Sequence, residues 1–120
     1  MIGWSQIAYG AALSAVAAAV LVRAVTGKYA LAVYGAFAAA AGPLAWNSIL
    51  VAAHGDRFFT DAPVTVFPVS WQDTGSGVFA FTVAALVYGL GPLAREPARR
   101  TVGCALLTAA AALAIDVYLY

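Results

Sequence analysis

Charge is scarce in this chain: six cations and five acids among 120 residues, 9% of the total. A soluble domain carries about 25% charged residues to keep its surface wetted, and a short chain has a large surface for its volume. With 64% hydrophobic residues, more apolar area remains than water can accommodate. Cys104 is the one cysteine, so no intrachain disulfide forms, and it reads as a small packing residue. His54 is the one histidine, which leaves the histidine-rich zinc sets unavailable. Also missing are a CxxC pair, an HExxH helix, a GxSxG elbow and a glycine-rich phosphate loop. Their absence removes the commonest metalloprotease, hydrolase and nucleotide-binding readings. Met1 to Gln6 holds no Lys or Arg, so the apolar run that follows reads as a retained helix, not a secretory signal.

What the chain does have is four long apolar runs. A helix of about 20 residues crosses the roughly 30 Å hydrocarbon core, and the windows 3–22, 29–53, 75–94 and 101–120 qualify. The expected fold is all-α: a polytopic integral membrane protein of the cell membrane, built as one four-helix transmembrane bundle over 1–120. Arg23, Lys28, Arg95, Arg99 and Arg100 flank the first and third connections beside Glu96 alone. Arg57 faces Asp56, Asp61, Asp73 and Asp116 at the opposite side. The positive-inside rule then predicts both termini outside, with an ordered outer loop over 54–74.

The helices are expected to pack through small residues. Ala11, Ala15 and Ala19 repeat at helical spacing in the first, and Ala105, Ala109 and Ala112 share a face of the fourth. Pro43 interrupts the second helix and predicts a kink. In the loop, 64–69 reads as extended chain, and Phe58, Phe59, Phe67 and Trp71 join Trp4, Tyr118 and Tyr120 as an interfacial belt. Such a loop would lie folded on the membrane surface.

Polar residues gather at that outer level. Asn47 and His54 are two helical turns apart on one stripe, Asp116 reaches a matching depth, and Asp56, Arg57, Asp61, Gln72 and Asp73 follow in the loop. Ionisable groups near hydrocarbon are costly and face a bundle interior or a partner. A histidine beside carboxylates can do acid–base work, so His54, Asp56 and Asp116 are the catalytic candidates, with His54 expected within hydrogen-bond reach of an aspartate. Trp46, Asn47, Asp61, Trp71, Gln72 and Asp73 are the candidate ligand-binding residues. The run Asp73-Thr74-Gly75-Ser76-Gly77 mimics an aspartic-protease triplet, but a single copy at a helix mouth reads as an N-cap from Asp73, Thr74 or Ser76. One histidine with carboxylates is thin for zinc, so no metal and no cofactor is assigned.

In length and helix count the chain is similar to several groups of small membrane proteins, small multidrug transporters among them. Its first helix lacks the embedded glutamate those transporters use, and no activity is carried over. The expected partners are the lipid bilayer, a second copy of the chain or a larger membrane complex, and a small lipophilic ligand, with no nucleic acid. The leading functional expectation is binding of a small or lipophilic ligand, or of a membrane partner, at the outer polar and aromatic cluster. A membrane-embedded acid–base enzyme and an oligomeric channel or transporter are the alternatives.

Overall fold

Backbone chemistry sets the turns. Gly27, left-handed at φ 72°, stops the first helix, and its N–H closes onto the Arg23 carbonyl. Pro97, which lacks an amide donor, stands just before the last helix begins at Ala98. A computed structural model, describing residues 3–54 and 69–119, contains α1 (Trp4–Thr26), α2 (Tyr29–Ala53), α3 (Trp71–Leu90) and α4 (Ala98–Leu119). No strand element occurs among the described residues. All four helices are long and apolar enough to cross a membrane.

The distribution of bulk agrees with lipid as the solvent. Val16, Val20, Val33, Phe37, Leu86 and Leu106 are exposed on helix surfaces, while the buried positions are largely alanine, glycine and serine. In water the large apolar side chains would turn inward. Between membrane helices, small side chains let the backbones approach and gain dispersion contacts.

The helices form a ring in which α1 packs on α2 and α4, and α3 packs on the same two, with α2 and α4 meeting across the centre. Ala18, Ala39, Ala80, Ala111 and Ala112 fill the middle layer. Beside it, a Cβ added at Gly42 would sit 2.5 Å from the Ala80 amide nitrogen, so α2 and α3 touch backbone to backbone. Toward the end carrying the α1–α2 and α3–α4 turns, called the basic end below, the core broadens to Val22, Leu31, Tyr88, Leu93 and Cys104. There the buried Tyr88 hydroxyl donates to the Leu31 carbonyl at 2.7 Å.

Several boundaries differ from the apolar windows. α3 begins at Trp71 and not at 75, and ends at Leu90 and not at 94; α4 begins at Ala98 and not at 101; α1 continues to Thr26. Hydropathy finds the stretch that lipid can cover, whereas helical hydrogen bonding runs on into polar turns such as Trp71–Thr74 and Ala98–Arg100. The cap of α3 also differs. Ser70 is its N-cap: its hydroxyl accepts from the Asp73 N–H at 3.1 Å, and Asp73 accepts the Ser70 N–H at 2.9 Å. Pro43 lies inside α2, whose helical span continues on both sides of it.

The alanine stripes are displaced as well. The buried face of α1 is Ile7, Gly10, Ala11, Ser14, Ala18 and Val22, with Ala15 and Ala19 only half-buried at its flank. On α4, Ala105 and Ala112 are fully buried and Ala109 is half-buried. The expectations for 55–68, including the extended stretch up to residue 68 and the aromatics Phe58, Phe59 and Phe67, lie outside the described residues.

Orientation is open to a direct test. His54 and Pro97 are exposed at opposite ends of the bundle. With Cys104→Ala as background, a cysteine replacing His54 should react with an impermeant maleimide in intact cells, and one replacing Pro97 should react only after lysis. The reverse pattern refutes the orientation drawn from the cations.

Candidate functional site

At the other end of the bundle, the loop end, three helices bring their polar side chains inward. Asn47 from α2, Gln72 and Ser76 from α3, and Asp116 from α4 are all almost wholly buried. Helix spacing explains the set: Gln72 and Ser76 are one turn apart, and Asn47 lies one turn past Pro43 on the face turned toward α3. Gln72 is the hub. Its amide nitrogen contacts Asn47 Oδ1 at 3.0 Å, Ser76 Oγ at 3.2 Å and Asp116 Oδ2 at 3.3 Å. An amide has two protons, so one of them is shared between acceptors. The Asn47 amide nitrogen in turn donates to the Pro43 carbonyl at 2.9 Å.

Trp46 closes the cluster from the side. Its indole N–H donates to the Gln72 carbonyl at 3.0 Å, its ring lies 5.2 Å from that of Phe79, and its edge occupies the place a side chain at Gly75 would take. The glycine is required there because the ring has taken its space. Asp73 sits in the reciprocal cap with Ser70, a turn that also holds the Thr74 hydroxyl on the Ser70 carbonyl at 3.0 Å. Asp73 thus lies in the N-terminal turn of α3, where the amide dipoles favour negative charge, while Asp116 comes from the last turn of α4 and meets that turn through the Gln72 side chain.

His54 does not join them. α2 ends at Ala53, and His54 is the cap residue in the left-handed region, φ 55° and ψ 46°, with its N–H turned back to Leu50 and Val51. The stripe it would share with Asn47 requires helical geometry to continue through it. It is exposed, and among the described residues its ring is not paired with Asp73 or Asp116. Asp56 and Asp61 lie outside the described residues, as does any pairing with them. Trp71 opens α3, at the turn that carries Gln72 and Asp73.

Sequence reasoning therefore named Trp46, Asn47, Gln72, Asp73 and Asp116, which the fold brings to one end. It missed Ser76 as an acceptor and Ser70 as the cap. Both were legible in the Ser70–Asp73 and Gln72–Ser76 spacings, provided the helix was started before Gly75. Chemically the cluster is a hydrogen-bonded clasp. It joins a carboxylate to carboxamides and a hydroxyl, and it contains no histidine, lysine or thiol to pair as nucleophile and base.

Below the clasp, between α3 and α4, runs an apolar groove of about 370 Å³. Val69 and Thr74 form its upper edge, Phe81 and Leu106 its lower part, and Gly77 faces Leu113 between them. No protein-family model matches this chain, and no curated protein or solved structure is significantly similar to it.

Proposed function

We propose that this is a multi-pass membrane protein that works by binding at its loop end, taking a lipophilic ligand along the α3–α4 groove. The observation that carries this reading is the groove's position. Its upper edge, Val69 and Thr74, belongs to the same turn that the Ser70–Asp73 cap closes and Gln72 ties to α2. Small-ligand sites are concave and mostly apolar with few polar groups; here Thr74 is the polar lining residue, and about 370 Å³ lies within the usual range of about 300–1,000 Å³. An acid–base enzyme finds less support, since His54 is exposed while Asp116 is enclosed by amides. A pathway through a single bundle finds less support too, because among the described residues no charged side chain is buried in the alanine-rich middle of the bundle.

Photolabelling with a diazirine fatty alcohol in native membranes tests the reading. Adducts should concentrate in the segments around Thr74–Phe81 and Leu106–Leu113, and Gly77→Leu should suppress them. Gly77 accepts a Cβ with ordinary contacts to Leu113, at 3.5 Å or more, and circular dichroism of the variant checks that the helices are retained. Labelling spread evenly over the lipid-facing Val16, Val33 and Leu86 would sink the proposal.

A further inference from the structure

A second cavity lies at the opposite, basic end. It measures about 550 Å³ and opens where the close of α1 and the first turn of α2 face the start of α4. Its floor is apolar, made by Leu31, Leu93 and the buried Cys104. Its rim is cationic, with Lys28 and Arg100 both exposed. The turn that carries Lys28 is braced: the Thr26 hydroxyl donates to the Val22 carbonyl at 2.7 Å and accepts the Lys28 N–H at 3.3 Å. Among the described residues Arg100 pairs with Glu96, whose carboxylate is 3.8 Å from its Nε. Both partners are exposed, and such a pair contributes little in water, so the guanidinium remains available to a stronger anion.

We propose that this cavity seats one anionic phospholipid from the leaflet that the basic end faces. The phosphate lies between Lys28 and Arg100, and an acyl chain follows the leucine floor. Charge complementarity selects the occupant. An uncharged lipid would fill the floor but leave the rim unused, and a free phosphate would use the rim but leave the floor open. Arginine also offers its fork of donors to phosphate oxygens. One further feature fits: a Cβ at Gly103, on the cavity wall, would meet nothing within 4 Å. The wall is set back there, where a larger residue would have narrowed the space.

Native mass spectrometry of the full chain in an uncharged detergent tests this with three probes: phosphatidylglycerol, phosphatidylcholine and inorganic phosphate. One phosphatidylglycerol should be retained at concentrations where phosphatidylcholine is not. The double variant Lys28→Gln/Arg100→Gln should weaken that binding about thirtyfold, from the loss of two basic contacts to an anionic headgroup. Arg95→Gln/Arg99→Gln, which removes equal charge outside the cavity, should weaken it far less. Gly103→Leu should abolish retention while the thermal midpoint holds or rises, which separates occlusion from unfolding. Equal retention of both lipids, equal loss in the two charge-removal variants, or binding of inorganic phosphate alone through Lys28 and Arg100 would each overturn the proposal.

Discussion

Replacing Gly42 with leucine should leave no folded bundle, and even alanine there should lower stability by about 1–3 kcal/mol or more. The new Cβ would lie 2.5–2.6 Å from the Ala80 amide nitrogen and Cα and the Phe79 carbonyl carbon. All three are backbone atoms that no rotamer change can move. Relief would require α2 and α3 to separate, and that would open the layer of Ala39 and Ala80 at the centre of the molecule. Gly103→Ala is the matching control. Its Cβ meets open space, and exchanging glycine for alanine in a helix contributes up to about 1 kcal/mol. Thermal unfolding followed by circular dichroism in detergent should therefore move the two variants in opposite directions. A Gly42→Ala protein as stable as the parent would mean that α2 and α3 are not in backbone contact.

Removing the Gln72 amide should be nearly as damaging, by a different route. Gln72→Leu keeps the bulk but withdraws the donor shared by Asn47 Oδ1, Ser76 Oγ and Asp116 Oδ2. A buried acceptor deprived of its donor costs about 1–3 kcal/mol, and a charged one more. Asp116→Leu in the Gln72→Leu background should restore part of the loss, since it removes one of the three acceptors that Gln72 served. The expected coupling is about 0.5–3 kcal/mol in a double-mutant cycle. Strict additivity of the two changes would show that the residues do not share a hydrogen bond. Proteolysis at the loop end offers a second reading of the same clasp, since freeing three helix ends there should expose them together.

The four spans were legible because lipid imposes a crude requirement, about 20 apolar residues in a row, and the chain meets it plainly. Where polar chemistry took over, the sequence was harder to read. Trp71 to Thr74 lies in no apolar window, yet it is the first turn of α3, made helical by Ser70 and Asp73. Once that turn is included, Gln72 and Ser76 fall on one face and the partner of Asp116 becomes apparent. The backbone at His54 was hidden for the converse reason. Its spacing from Asn47 is helical, but a single left-handed residue takes it out of the stripe, and nothing in an Ala-Ala-His-Gly run announces a turn one residue before the glycine. Buried alanines were anticipated as a class, though α1 presents Ala11 and Ala18 inward and not Ala15 and Ala19. Alanine is frequent enough along that helix to suggest a stripe on more than one face.

The inversion of bulk, with small residues inside and large ones outside, also bears on how this sequence can drift over generations. In a water-soluble core, exchange usually runs downward in volume, and a trimmed leucine leaves a cavity that relaxation partly heals. Here Gly42, Ala39 and Ala80 are already near the minimum, so most exchanges enlarge them into space that is occupied. The lipid-facing Val20, Val33 and Leu86 meet no fixed shape and can trade among apolar types freely. Tolerance should therefore track side-chain size along each helix, the smallest residues being the least replaceable. Distant copies of such a chain would keep their glycines and inward alanines while their bulky surface letters scrambled, so that overall identity would fall well before the architecture changed.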